Sequence, residues 1–208
     1  MFLVIGITRQ VGGPPLLNSS PDRPVLKALI RDLTTAIDKS QKKSIDREII
    51  PLVKAINKKP NYYTTSSCSG RIVVLEKKSP KKGTKWLYST HKKASFKEIK
   101  NSLKTIPKEE LWFRQEPIIL HVCCKTIEDA KKLLNTARKV FKRAGIITLN
   151  KKIIIEIIGT EFIYTIIAGN RKLLINDSYL KELVKEANKK LAINKNKIKK
   201  FHNLIKNI

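Results

Sequence analysis

A run of small hydroxyl residues that ends in glycine and arginine is the stretch of this sequence best suited to bind a ligand. This serine-rich segment is Tyr63-Thr64-Thr65-Ser66-Ser67-Cys68-Ser69-Gly70-Arg71. Serine hydroxyls and the backbone amides of a turn donate hydrogen bonds, and an arginine guanidinium offers a two-pronged donor. Such a turn can therefore hold a carboxylate, a phosphate or a ribose. The alternative is an ordinary polar hairpin, because turns favour serine and glycine whatever their function.

The cysteines predict neither a disulfide framework nor a zinc site. There are three of them, Cys68 and the adjacent pair Cys123 and Cys124, and they lack both CxxC spacing and nearby histidine pairs. We expect reduced thiols and no metal. Cys68 is also a conceivable nucleophile, although no base lies near it in the sequence.

The periodicity of apolar residues places the serine-rich segment between two strands. Strands are predicted at 62–67, 71–76, 85–90, 111–113 with 118–123, 146–149, 152–158, 162–167 and 173–174. Helices are predicted at 25–37, from Ser44 to Pro60, at 95–104, at 126–144 and from Asp177 or Ser178 towards Ile208. Asp46 then lies in the first turn of the second helix, and Gly145 ends the fourth.

This order of elements predicts the fold class. Runs of strands flanked by helices are typical of α+β proteins, whereas a Rossmann sheet alternates strand and helix. The sequence also contains no GxGxxG fingerprint. We therefore expect an α+β fold with a predominantly antiparallel or mixed sheet and packed helices, not a Rossmann fold.

The charge of the chain indicates a polyanionic partner. Its 208 residues contain 44 Lys and Arg against 17 Asp and Glu, a formal net charge of +27. Lysines are dense at 77–93 and 189–206, and such side chains neutralise nucleic-acid phosphates. RNA is favoured over the alternative of a solvated lysine surface because the imbalance is much larger than solubility requires.

No segment predicts a membrane protein. The longest apolar tract, Ile153 to Ile158, is interrupted by Glu156 and is too short to span a bilayer. The apolar residues 2–7 follow no basic residue and are too short for a signal peptide. We expect a cytoplasmic protein with no membrane partner and no evident obligate protein partner.

Six short motifs follow one another along the chain. They are TTSSCSGR at 64–71, Trp86 with Ser89-Thr90-His91-Lys92, Glu116-Pro117-Ile118-Ile119-Leu120-His121-Val122, Ala144-Gly145-Ile146-Ile147-Thr148, Ala187-Asn188, and the pattern from Asn194 to Ile198 with Phe201. In this order and context they resemble the tRNA wybutosine-synthesizing protein 3 family. The resemblance extends from Arg31 or nearby to the end of the chain.

The resemblance implies an activity. Members of that family methylate N4, a ring nitrogen of a tricyclic wyosine-type base next to the anticodon of phenylalanine tRNA, and they use S-adenosyl-L-methionine. It thus implies an S-adenosylmethionine-dependent tRNA methyltransferase, whose partner is tRNA(Phe) carrying 7-aminocarboxypropyl-demethylwyosine. It also implies a single methyltransferase domain at residues 25–208, with residues 1–24 as an N-terminal arm outside the match.

The resemblance and side-chain chemistry together select the site residues. The catalytic candidates are Asp46, His91 and His121, and the candidates for binding substrate or cofactor are Ser66, Ser67, Cys68, Ser69, Arg71, Trp86 and Glu116. By the resemblance, Asp46 holds the substrate or accepts a proton, and either histidine can be the base. Trp86 can stack on adenine or on the tricyclic base, and Glu116 can orient a hydroxyl or an arginine. For each residue, the alternative is an ordinary structural role.

Two rival functions stay open at this point. A non-catalytic basic tRNA-binding module explains the charge but not the clustering of Ser, Cys, His and Trp at predicted strand ends, and cofactor binding distinguishes it. A different RNA enzyme would use Cys68 as its nucleophile. Alkylation of Cys68 without loss of turnover would eliminate that possibility.

Overall fold

Two compact units make up the described part of the chain, which in this computed structural model comprises residues 46–77, 84–150 and 152–208. The four-stranded unit contains 46–69, 118–159 and 197–208, and the five-stranded unit contains 70–117 and 160–196. The predicted helix at 25–37 and the predicted cap at Ser44 lie outside the described residues. The prediction of one domain over 25–208 stays a prediction.

Nine strands and four helices occur in the residues described. In chain order they are α1 (Ile50–Asn57), β1 (Tyr62–Cys68), β2 (Arg71–Glu76), β3 (Lys85–Thr90), α2 (Phe96–Ser102), β4 (Leu111–Glu116), β5 (Ile119–Cys124), α3 (Ile127–Arg138), β6 (Arg143–Thr148), β7 (Ile153–Ile158), β8 (Ile163–Gly169), β9 (Lys172–Leu173) and α4 (Asp177–Ile205). The neighbouring strands are paired antiparallel in both sheets. The predicted α+β class, distinct from a Rossmann fold, is confirmed.

The sheet of the four-stranded unit has the order β1-β5-β7-β6. Its apolar face packs on α1, α3 and the last turns of α4, which include Phe201. The rings of Phe141 and Phe201 meet edge to face with centroids 5.6 Å apart, a favoured aromatic geometry. Asn57 at the end of α1 is buried, and its side chain bonds both the backbone amide and the hydroxyl of Thr64. These bonds fix the start of β1 and hence the path of the serine-rich segment.

The sheet of the five-stranded unit has the order β3-β2-β4-β8-β9. One face, with Ile72, Val74, Leu111 and Phe113, packs on α2 and the first part of α4. The side chain of Asn188 on α4 accepts a hydrogen bond from the Ala94 amide and donates one to the Ala94 carbonyl, each at 2.9 Å. This pair of bonds fixes the chain between β3 and α2.

Asp46 does not lie in a helical turn, and the prediction that it does is wrong. α1 begins at Ile50 with Pro51 in its first turn, and its first turn contains no acid. Proline has no backbone N–H to donate and is favoured in the first turn of a helix, so Pro51 accounts for a helix that starts at Ile50. Asp46 instead begins a short turn in which its carbonyl accepts the Ile49 amide.

The predicted helix at 126–144 is too long, and Gly145 does not end it. α3 starts at the predicted cap Thr126 but ends at Arg138, and Gly145 lies within β6 opposite Glu156 of β7. The β-branched run Ile146-Ile147-Thr148 can pair with the isoleucine-rich β7, and this tertiary pairing overrides the local helical pattern.

The predicted strand interrupted at Pro117 is two strands in two different sheets. β4 ends at Glu116 in the five-stranded unit, and β5 begins at Ile119 in the four-stranded unit. Pro117 cannot donate a ladder hydrogen bond, so it separates the two pairings.

Candidate active site

A β-bulge at Thr65 determines which side chains of the serine-rich segment share a face with His121. The register of β1 against β5 shifts between Thr64 and Ser66, so one residue is inserted and the alternation of faces changes. Ser66 is therefore directly opposite His121, and directly opposed residues have their side chains on the same face. Ser66 is buried.

A histidine and a carboxylate lie next to each other on this face. His121 of β5 is opposite Glu156 of β7, and its Nε2 is 3.0 Å from Glu156 Oε2. Since the carboxylate only accepts, Nε2 is the donor in this contact, and Nδ1 is the basic nitrogen whenever the ring is neutral. Gly145 is opposite Glu156 on the neighbouring strand β6, and the space next to its Cα is open.

Asp46 and Ser69 form a second polar contact in the four-stranded unit. Asp46 Oδ2 accepts the Ser69 backbone N–H at 2.8 Å and the Ser69 hydroxyl at 3.1 Å. Hydrogen bonds to an ionised carboxylate are the stronger ones in proteins. Asp46 therefore fixes the end of the serine-rich segment, although no local helix places it there.

Ser67 and Cys68, the remaining predicted residues of β1, lie opposite Leu120 and Ile119 and are half-buried. None of the three cysteines, all of which lie in the described residues, forms a disulfide bond. Burial raises the pKa of the Cys123 thiol, and burial together with neighbouring charges raises that of Cys124 to about 12. At neutral pH this adjacent pair is protonated, and a protonated thiol is a poor nucleophile.

In the five-stranded unit, Arg71, Trp86 and Glu116 form one cluster. Arg71 Nε donates to Glu116 Oε2 at 2.6 Å, across a directly opposed pair on β2 and β4. The Arg71 guanidinium also lies over the Trp86 ring at 4.3 Å, a cation–π distance. Arg71 and Glu116 are both buried, so the ion pair is shielded from water. Only the Nε of this guanidinium bonds to a described residue, and its two terminal nitrogens remain available as donors.

His91 contacts the glycine of the serine-rich segment. Gly70 has a φ of 92°, a conformation that glycine adopts without strain. Its carbonyl oxygen is 2.9 Å from His91 Nδ1. A carbonyl only accepts, so Nδ1 is the donor in this contact.

Each unit thus brings together its own group of the predicted residues. The four-stranded unit joins Ser66 with His121 and Ser69 with Asp46, and the five-stranded unit joins Arg71, Trp86 and Glu116. Sequence reasoning missed Glu156 as a partner of His121. The signal in the sequence is that Glu156 is the single acid within the apolar tract Ile153 to Ile158. Among the helices within 46–77, 84–150 and 152–208, none combines the length and the apolar composition that a membrane span requires.

Fold and sequence comparisons define the class of protein. The family model described as Methyltransferase TYW3 matches residues 25–207, and the chain belongs to this family. It is therefore a methyltransferase, and the resemblance noted in the sequence is confirmed.

Particular relatives and a solved structure extend this result. The chain is 38% identical over 168 residues to "tRNA(Phe) 7-((3-amino-3-carboxypropyl)-4-demethylwyosine(37)-N(4))-methyltransferase 1" of Pyrococcus abyssi, a match to 79% of this chain and 87% of the relative. A relative of the same name from Pyrococcus horikoshii is 40% identical over 183 residues, or 86% of this chain and 92% of the relative. The solved structure of the PH1069 protein from Pyrococcus horikoshii is similar with a TM-score of 0.78 and 38% identity, over 88% of this chain and 94% of that one.

Proposed function

We propose that this protein transfers a methyl group from S-adenosyl-L-methionine to N4 of 7-(3-amino-3-carboxypropyl)-4-demethylwyosine, next to the anticodon of tRNA(Phe). The observation that carries the proposal is the identity of 38% over 79% of the chain to a relative named for this reaction. A cytoplasmic location follows from the tRNA substrate and is part of the proposal.

The hydrogen-bond donors of the Arg71 guanidinium fit the carboxylate of the methyl donor. S-adenosylmethionine has a carboxylate and an adenine, and it supplies an electrophilic methyl group. The terminal nitrogens of Arg71 can donate to a carboxylate, and Glu116 and Trp86 hold the guanidinium from its Nε and from one face. The hydroxyls of Ser66, Ser67 and Ser69, with Cys68, are assigned to substrate or cofactor binding on the chemistry of their side chains.

Asp46, His91 and His121 are the proposed catalytic residues. A ring nitrogen attacks a methyl group without help unless it carries a proton, so a base is needed only to remove that proton. In a neutral His121 ring Nδ1 is the basic nitrogen, and the Glu156 carboxylate would stabilise the ring after proton uptake through its contact with Nε2. Asp46 is ordered by two hydrogen bonds and can hold a substrate amine or ribose, or accept the proton.

The net charge of +27 supports an RNA substrate. Lysines neutralise phosphates without regard to base sequence, so they supply affinity, whereas recognition of the tricyclic base requires a pocket. Of the two lysine-rich tracts, 189–206 is described in full and lies on α4 except for Lys206, which follows the helix.

Donor binding and turnover test the proposal together. Calorimetry should detect binding of S-adenosylmethionine, and labelled methyl groups should pass to tRNA(Phe) that carries the precursor but not to unmodified tRNA(Phe). Arg71→Lys should weaken donor binding, because lysine has neither the planar fork nor the stack on Trp86. Tight tRNA binding without donor binding would instead identify a non-catalytic tRNA-binding module.

A further inference from the structure

A row of cations and aromatic rings crosses the five-stranded sheet on the face opposite its apolar core. Leu111 and Phe113 of β4 lie in the core, so the alternate residues Trp112 and Arg114 lie on the other face. Tyr164 of β8 is directly opposite Arg114 and shares that face. Neither the serine-rich segment nor the proposed catalytic residues include any member of this row.

The row contains two positively charged side chains and three aromatic rings. Lys77 Nζ is 5.0 Å from the centre of the Trp112 ring. The Arg114 guanidinium is 5.2 Å from the ring of Trp112 and 5.2 Å from that of Tyr164. Tyr164 in turn meets Phe162 with centroids 5.4 Å apart and planes tilted by 41°. We call these five residues the aromatic ladder.

Two of the three rings of the ladder are exposed, and Trp112 is half-buried. Phe162 is 44% exposed and Tyr164 is 42% exposed. Such a group of rings at the surface of a protein marks a binding surface more often than a packing defect. Trp112 is fixed by a hydrogen bond of 3.0 Å from its Nε1 to Glu110, so it is ordered before any ligand arrives.

The charge of Arg114 is not neutralised by the rest of the described chain. No described carboxylate pairs with it, and its Nε is buried without a hydrogen-bond partner among the described residues. Its guanidinium lies near two aromatic rings, those of Trp112 and Tyr164. A guanidinium with no carboxylate partner among the described residues keeps a positive charge that can attract an anion.

We propose that the aromatic ladder binds unpaired bases of an RNA loop, with Lys77 and Arg114 directed to the adjoining phosphates. Bases stack on aromatic and guanidinium planes, and proteins commonly read single-stranded RNA in this way on the face of a sheet. The net charge of +27 favours a polyanion over an apolar protein surface as the occupant. The inference deepens the proposed function, on which it rests, by assigning this surface to the loop bases that neighbour the modified base.

Fluorescence quenching of 2-aminopurine tests the ladder. The probe is an anticodon stem-loop RNA of tRNA(Phe) with 2-aminopurine at an unpaired loop position, titrated with the full-length protein without methyl donor. Tyr164→Ala should weaken binding by about 5- to 100-fold, the effect of losing one stacked base, and should reduce the quenching. The salt dependence of binding should not change, because no charge is removed. Trp112→Phe retains a ring and should bind nearly as well as the wild type.

Tyr179→Ala is the matched control, since Tyr179 is 50% exposed on α4 and lies outside the ladder. It should leave affinity and quenching unchanged. Wild-type affinity and quenching in both Tyr164→Ala and Trp112→Ala would overturn the inference, and so would a wild type that binds protein partners or vesicles but not the stem-loop. Methyl transfer by the wild type is measured separately. Transfer with unaffected ladder variants refutes the ladder alone, whereas ladder-dependent binding without transfer refutes the proposed function alone.

Discussion

Asp46 uses one carboxylate oxygen to accept both the amide and the hydroxyl of Ser69. This geometry separates a structural role of the residue from a chemical one. An asparagine in its place keeps an oxygen that can accept the same bonds, but it loses the negative charge. Asp46→Asn therefore distinguishes a role that requires the negative charge from one that requires only the two hydrogen bonds to Ser69.

At the scale of single residues, we predict that Asp46→Asn lowers kcat about 100-fold or more, in the range for loss of a group that transfers or stabilises a proton. The midpoint of urea unfolding should change little. Glu128→Gln, at an exposed acid in the first turn of α3, is the control and should leave both quantities unchanged. A wild-type kcat in Asp46→Asn would show that Asp46 has only a structural role, which is to hold Ser69 by hydrogen bonds.

A second prediction concerns Glu156 as the partner of His121. Glu156→Gln retains an oxygen near Nε2 but removes the charge that stabilises the protonated imidazole. The value of kcat should fall about 10-fold or more, while KM for tRNA stays at its wild-type value. Steady-state kinetics over a range of tRNA concentrations separates the two constants. An increase in KM with unchanged kcat would assign Glu156 to substrate binding.

At the scale of elements, the Arg71 cluster depends on the pairing of β2 with β4. The opposed pair Arg71 and Glu116 is buried, with Nε and Oε2 2.6 Å apart. Removal of one partner from a buried ion pair leaves a charge without compensation. The cluster therefore contributes to the stability of the sheet as well as to the proposed donor site.

We predict that Glu116→Ala lowers the free energy of unfolding by about 3–5 kcal/mol, the usual cost of leaving a buried charge unpaired. Urea denaturation measures the change. Glu182→Ala removes an acid from the exposed pair with Lys185, whose atoms are 3.2 Å apart, and should cost less than about 1 kcal/mol. Equal losses in the two variants would show that the Arg71 charge is solvated.

The elements also show where sequence patterns are sufficient. Periodicity and caps located β1, β2, β3 and α2 closely, because their residue types and their pairings agree. The helix predicted through Gly145 was wrong because β6 forms by pairing with β7, a contact that no local pattern contains. The bulge at Thr65 was likewise not predictable, since the hydroxyl run around it has no contrast between polar and apolar residues.

At the scale of the whole molecule, each unit is assembled from segments that are far apart in the sequence. The sequence alone therefore does not predict which side chains of the site meet. The four-stranded unit combines 46–69, 118–159 and 197–208. His121 and Glu156 are 35 residues apart and meet only through the register of β5 and β7. The resemblance therefore predicts the residues of the candidate site, whereas the side chains that they contact can be identified only from the fold.

The positive charge of the molecule gives a further prediction. Lys199, Lys200 and Lys206 are exposed in the lysine-rich tract of α4 and the residues after it. Their joint replacement by glutamine should weaken tRNA binding and reduce the slope of log affinity against log salt by about one for each lysine that contacts phosphate. Lys185→Gln is the control, because Lys185 already pairs with Glu182. An unchanged slope would exclude these three lysines from the RNA interface.

The most direct test of the proposed reaction is to locate the added methyl group. The protein is incubated with S-adenosylmethionine and tRNA(Phe) carrying 7-(3-amino-3-carboxypropyl)-4-demethylwyosine, and the nucleosides are then fragmented in a mass spectrometer. We predict a gain of one methyl group, at N4 of the tricyclic base, and no gain on unmodified tRNA(Phe). A methyl group at another position, transfer to the unmodified tRNA, or no transfer to the precursor would contradict the account.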